Sequence, residues 1–114
     1  MSDCLFCKIA EKQIPAKVVY EDDRAVAFRD INPQAPTHIL IVPRKHIASL
    51  NELTDDDAAL VGHLLVVAQK LAHAEGIVER GWRTVFNTGK EAGQTVFHIH
   101  LHLVGGRPMG WPPG

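Results

Sequence analysis

Residues 95–104 read Thr-Val-Phe-His-Ile-His-Leu-His-Leu-Val, so His98, His100 and His102 alternate with Phe97, Ile99, Leu101 and Leu103. Successive side chains of a β-strand point to opposite faces. As a strand, this stretch turns one apolar face towards a core and carries three imidazoles on the other. Three of the seven histidines in the chain fall within these five positions, which composition alone would rarely produce.

Three imidazoles in a row could form a solvated polar face. They are poorly placed to share one metal ion. At about 3.4 Å per residue, His98 and His102 start about 13 Å apart, whereas zinc–nitrogen bonds are only about 2 Å long. Pairs two residues apart could converge. A third reading divides the labour: one histidine acts as nucleophile or base while its neighbours hold a charged substrate. Histidine suits this because its unperturbed pKa lies close to physiological pH.

The rest of the chain bounds the setting. At 114 residues and 46% apolar content, one modest core is expected. Twelve basic and thirteen acidic side chains leave a net charge of −1, with no long basic run to track a nucleic-acid backbone. The opening Met-Ser-Asp-Cys-Leu-Phe-Cys-Lys carries no apolar signal region. No stretch approaches the roughly 20 apolar residues of a membrane span. A soluble cytoplasmic protein is expected, with neither nucleic acid nor membrane as partner. Cys4 and Cys7 form a Cys-x-x-Cys pair that could be a redox couple, half of a metal site or two unrelated thiols. The redox reading wants the pair after a strand of a βαβ unit, and a tetrahedral zinc site needs two further ligands.

Phe6 to Glu11 predicts a short helix that stops before Pro15. Lys17–Tyr20 and Ala25–Phe28 read as strands of a hairpin around Glu21-Asp-Asp-Arg24. Residues 30–36 form a loop, because two prolines and an asparagine disfavour regular structure. His38–Val42 is a continuous apolar run, consistent with a strand buried on both faces and ended by Pro43. Thr54 before Asp55, Asp56 and Asp57 is a helix start. Leu60, Leu64, Val67, Ala68 and Leu71 follow at helical spacing, with Gly76 as the stop. His63 and His73 are expected on the surface of this helix rather than as ligands. Trp82–Phe86 is a further strand, and residues 89–94 turn the chain back into the histidine strand. Strands and one long helix make an α+β domain.

The segment His98-Ile-His-Leu-His102-Leu-Val resembles the His-x-His-x-His-x-x motif of the histidine-triad (HIT) superfamily, with apolar residues at x. The surrounding chain is similar to the Hint branch of nucleotide-binding proteins. The similarity lies in Ile14-Pro-Ala-Lys17, Glu21-Asp-Asp-Arg24, Pro33-Gln-Ala-Pro-Thr-His38, Gly93-Gln-Thr95, Gly105-Gly-Arg107 and Trp111-Pro-Pro-Gly114. These segments keep their order from about Leu5 to the last residue.

The resemblance implies a single domain over residues 1–114. It implies a five-stranded antiparallel sheet with one long helix and a short N-terminal helix, paired with a second copy into a continuous ten-stranded sheet. It makes His100 the nucleophile that attacks the α-phosphorus of a purine nucleoside 5′-phosphoramidate and becomes a nucleotidyl-histidine. An imidazole is a good nucleophile near neutral pH, and a phosphorylated imidazole is a good leaving group. His102 and His38 would flank the phosphate, stabilise its charge and deliver a proton to the departing amine. His98 completes the triad. Asp30 and Ile31 would meet the ribose, Asn87 the ribose or phosphate, and Leu5, Phe6 and Ile9 the base. Gly93, Gln94 and Thr95 would offer donors to the phosphate. Trp111 would reach towards the partner subunit's site. Many bacterial relatives bind zinc through Cys-x-x-Cys at this position, which implies a structural zinc on Cys4, Cys7, His46 and His98. Other Hint proteins lack the cysteines, so no cofactor is expected in catalysis. The competing readings are a dinucleoside polyphosphate hydrolase and a nucleotide-binding regulatory or scaffold protein.

Overall fold

A computed structural model describes residues 3–114 of the chain. Five strands form one sheet: β1 Val18–Glu21, β2 Ala25–Arg29, β3 Thr37–Pro43, β4 Trp82–Val85 and β5 Leu101–Gly105. Their order across the sheet is β1-β2-β3-β5-β4, and every neighbouring pair is antiparallel. The last strand in the chain is thus inserted between β3 and β4, which puts the histidine segment near the middle of the sheet. A short helix α1, Leu5–Ala10, precedes the strands, and a long helix α2, Ala58–Ala74, lies between β3 and β4.

The register assigns the faces. Ile39 pairs with Leu103 and Ile41 with Leu101, all almost fully buried. With Ala25 and Ala27 they pack against Leu64, Val67, Ala68 and Leu71 of α2. On the opposite face Leu40 pairs with both His102 and Phe28. There Val26, Phe28, Leu40 and Val42 meet Phe6, Ile9 and Ala10 of α1 in a second, smaller core. Coverage on both faces is why β3 is buried along its whole length and reads as an unbroken apolar run. It also places α1 and the histidines on the same side of the sheet.

Helix α2 begins as expected from its sequence, with one adjustment. Thr54 N–H donates to Asp57 Oδ2 at 3.0 Å, but Asp55–Asp57 form a 3-10 turn before the α-helix proper starts at Ala58. At its other end Gly76 takes φ +71°, a conformation that costs a residue without Cβ little. Leu64 is fully buried between helix and sheet. Leu64→Ala should cost about 2–5 kcal/mol, measured as a lower urea midpoint at an unchanged slope.

Two expectations need correction. The histidine strand is shorter than residues 95–104, because the ladder with β3 ends at the Ile41–Leu101 pair. Upstream, Ile99 N–H donates to the Ile47 carbonyl at 2.8 Å, and the alternation survives in buried Ile99. It fails at Phe97, which is 57% exposed. His63 is half-buried rather than free on the surface. Its Nε2 lies 2.6 Å from Asp22 Oδ2 and docks α2 onto the β1–β2 turn. His73 is exposed, as expected. Among the described residues, no helix is long and apolar enough to cross a membrane.

Candidate active site and metal cluster

The three histidines of the motif do three different things. His98 is fully buried, and its Nε2 lies 2.7 Å from the Pro43 carbonyl. A carbonyl only accepts, so Nε2 carries the proton and Nδ1 is bare. That bare nitrogen lies 3.3 Å from Cys4 Sγ, 3.4 Å from Cys7 Sγ and 3.2 Å from His46 Nδ1. Cys7 Sγ is in turn 3.4 Å from His46 Nδ1, and the four donor atoms lie within 4.8 Å of one another. Two thiols and two imidazoles so placed are compatible with one tetrahedral metal ion. The carbonyl behind His98 is the kind of outer partner that fixes a ligand ring. Cys4 also caps α1, its Sγ accepting from Cys7 N–H at 3.4 Å.

His100 turns the other way. Its Nδ1 donates to the His98 carbonyl at 2.8 Å, which leaves Nε2 without a proton. The ring packs edge-on against Phe6, with centroids 4.9 Å apart. A buried neutral imidazole with one nitrogen anchored and the other bare has the form that nucleophilic attack requires.

His102 is assigned through His38. The backbone N–H of Gln34 donates to His38 Nδ1 at 3.0 Å, so the His38 proton sits on Nε2. That nitrogen lies 2.9 Å from His102 Nδ1 and 3.4 Å from Asp30 Oδ2. His102 Nδ1 therefore accepts, and its own proton is on Nε2. Among the described residues, His102 Nε2 is a buried side-chain nitrogen with no hydrogen-bond partner. A buried donor left unpaired costs about 1–3 kcal/mol, and one placed beside a nucleophile is suited to an anionic oxygen. Asp30, His38 and His102 also lie close enough to hold a metal. However, the Gln34 amide keeps the proton on the His38 nitrogen that would have to ligate. The cluster is a hydrogen-bond relay.

Burial lowers the pKa of His38, although the Asp30 carboxylate opposes it. Burial likewise lowers that of His100. Burial, with His100 and His38 as neighbours, pushes His102 from 6.5 down to about 4. His38 and His102 are therefore neutral in the folded chain at pH 7, while unfolded histidines take up protons near pH 6.5. Below that value the unfolded chain binds more protons, so folding stability should fall as pH drops from about 6.5 towards 4. Thermal melts at pH 7.5 and 5 should show this loss, and His102→Gln should lessen it.

The rings open onto a cavity of about 420 Å³. Leu5, Phe6, Ile9, Phe28 and Leu40 line its apolar side, and Asp30, Thr95, His100 and His102 its polar side. Ile31 stands fully exposed at its mouth. A more open groove of about 650 Å³ shares Arg29, Asp30 and Ile31 and reaches His38. Other expected site residues lie elsewhere. Asn87 is half-buried and does not line the cavity. Gly93 N–H donates to the Lys90 carbonyl and Gln94 N–H to the Gly89 carbonyl. The Gln94 side chain bonds Ala48, Val96 and Gly89. These groups are engaged in building the turn, and of Gly93, Gln94 and Thr95 only Thr95 lines the cavity. Trp111 is 82% exposed, and the Arg83 guanidinium carbon lies 6.0 Å from its ring centre. Phe28 and Leu40 were missed as lining residues. Their register opposite His102 marks them once the strands are paired.

The chain is similar in sequence and in shape to known proteins. The family model for the HIT domain matches residues 11–109. An uncharacterized HIT-like protein of Synechococcus elongatus is 54% identical over 112 residues, covering 98% of this chain and 97% of that one. The purine nucleoside phosphoramidase of Escherichia coli is 48% identical over 108 residues, covering 95% and 91%. A crystal structure of a HIT family hydrolase from Legionella pneumophila superposes with a TM-score of 0.97 at 61% identity, covering 98% and 100%. A histidine triad leading into the inner strand of a five-stranded antiparallel sheet, with these likenesses across nearly the whole chain, leaves one conclusion: the chain belongs to the HIT domain family.

Proposed function

We propose that the chain is a nucleotide-binding hydrolase that cleaves the P–N bond of purine nucleoside 5′-phosphoramidates. The observation that carries this reading is the pairing of a bare His100 Nε2 with an unpartnered His102 Nε2–H at one cavity wall. His100 Nε2 attacks the α-phosphorus, and a phosphorus–imidazole bond forms as the bond to the amine breaks. His102, backed by His38, donates to the phosphoryl group; the anionic substrate favours a further proton from solvent on this pair, the departing amine takes that proton, and the water of the second step returns one. Water then cleaves the nucleotidyl-histidine and regenerates the ring. Asp30 would accept from ribose hydroxyls, and Leu5, Phe6 and Ile9 would hold the base against an apolar wall. Supporting the substrate class are the E. coli phosphoramidase relative and the mixed apolar and polar lining.

Mass spectrometry of protein quenched during turnover of an adenosine phosphoramidate tests the mechanism. A peptide carrying AMP on His100 is expected. Absence of turnover with AMP still bound would favour a binding protein instead.

We also propose a structural zinc on Cys4, Cys7, His46 and His98. Bonds of about 2.3 Å to sulfur and 2.0 Å to nitrogen set tetrahedral edges of roughly 3.5 Å and 3.3 Å. The observed separations of 3.2–3.4 Å lie close to these. A homodimer with a continuous sheet is proposed too, since β4 stands at the sheet edge. Light scattering should give twice the 12.6 kDa chain mass; a monomer would contradict the shared sheet.

A further inference from the structure

The tautomer of His38 depends on a loop with no regular structure of its own, residues 30–36. Much of its bonding is local. Asp30 N–H donates to the His38 carbonyl at 3.0 Å, Asn32 N–H to Asp30 Oδ1 at 2.8 Å, and Gln34 Nε2 to the Asn32 carbonyl at 3.0 Å. The Asp30 bond ties the start of the loop to β3, whereas the other two shape the loop without fixing where residues 32–36 sit relative to the sheet. A tie comes from beyond β5. Gly106 takes φ +93° and packs so tightly that a Cβ there would lie 2.9 Å from Pro36. The next residue, Arg107, donates from Nε to the Gln34 carbonyl at 2.9 Å and from Nη1 to the Pro108 carbonyl at 2.9 Å. One guanidinium therefore bridges the loop and the segment that leaves the central histidine strand.

We propose that Arg107, though outside the cavity, is a positioning residue for the proton relay. By holding the Gln34 carbonyl it keeps the Gln34 N–H on His38 Nδ1. That keeps the His38 proton on Nε2, facing His102 Nδ1, and the His102 proton on the nitrogen left for substrate. Without the tie the loop drifts and His38 is free to take the opposite tautomer. Two bare nitrogens would then face each other at 2.9 Å. His102 would relieve this by moving its proton to Nδ1, presenting a lone pair to an anionic phosphoryl group. The role of the relay in turnover rests on the hydrolase reading; its tautomers do not.

Long-range proton–nitrogen NMR of the ligand-free protein reads the ring tautomers directly. The parent should show protons on Nε2 of His38 and His102 and on Nδ1 of His100. In Arg107→Ala the His38 and His102 signals should shift towards mixed tautomers while His100 keeps its own. Turnover should show kcat about tenfold lower with KM within about threefold, and Arg107→Lys, which restores a donor to Gln34, should recover most of both. Ring spectra identical in Arg107→Ala and the parent would overturn the proposal, even if activity fell. Altered spectra in a protein whose parent form hydrolyses no phosphoramidate would uphold the positioning role and refute the hydrolase reading.

Discussion

Alanine in place of His100 should lower turnover of an adenosine phosphoramidate by roughly 10⁴-fold or more, the scale on which loss of a covalent nucleophile acts. AMP affinity should stay within about tenfold, or about 1.4 kcal/mol. The asymmetry follows from where the ring is held. Its Nδ1–H is committed to the His98 carbonyl at 2.8 Å, so the ring has only one nitrogen to offer, and that nitrogen is bare. A bare imidazole nitrogen attacks phosphorus well but cannot donate to a phosphate oxygen in the ground state. In the proposed mechanism binding falls instead to the His102 donor, to Asp30 and to the apolar wall, none of which the substitution removes. Parallel measurement of kcat by amine release and of Kd for AMP by calorimetry checks both halves. Turnover that survives would deny the covalent route, and affinity lost in step with turnover would make His100 a binding group.

The second large effect is expected from removing the proposed zinc. Protein stripped with a chelator, or carrying Cys4→Ser and Cys7→Ser, should lose about one zinc per chain and melt at least about 10 °C lower. Free ion at about 1,000 times its Kd stabilises a fold by about 4 kcal/mol, and each kcal/mol moves Tm by about 4 °C in a domain of this size. The loss should centre on α1. Its six residues are too few to hold a helix in water, where about 12–15 are needed. Both thiols of the cluster lie at or in this helix, and His46 and His98 tie it to the sheet. Since Leu5, Phe6 and Ile9 also form the cavity wall, AMP should bind more weakly to the stripped protein. A preparation without metal that keeps its Tm would leave the quartet a cluster of thiols and imidazoles and nothing more.

Much of the scaffold was legible in residue order. The unbroken run His38–Val42 announced β3, Thr54 and Gly76 bracketed the long helix, and the alternation at 98–103 identified the histidine face. These features are local: they follow from the periods 2 and 3.6 and from the conformational limits of threonine caps and glycine. The alternation over-reached at Phe97, because upstream of Leu101 the segment leaves the β3 ladder and bonds to Ile47 instead. Residue order alone also left Cys4 and Cys7 with three readings. The union of these two cysteines with His46 and His98 came from family resemblance, since nothing within a Cys-x-x-Cys pair names its distant partners.

Alone, then, the sequence determined the elements, the buried faces and the few side chains able to do chemistry, because hydrophobic period and local backbone preference act over a few residues. The tertiary structure decided what each histidine does. Identical rings two residues apart came to hold their protons on different nitrogens and to face different neighbours because different groups meet them. His98 meets the Pro43 carbonyl from 55 positions away and His102 meets His38 from 64. His100 meets the His98 carbonyl, and the Gln34 amide sets His38. Most of these deciding groups are backbone carbonyls and amides, which every residue carries. No residue type could therefore reveal them, and only folding says which proton sits where.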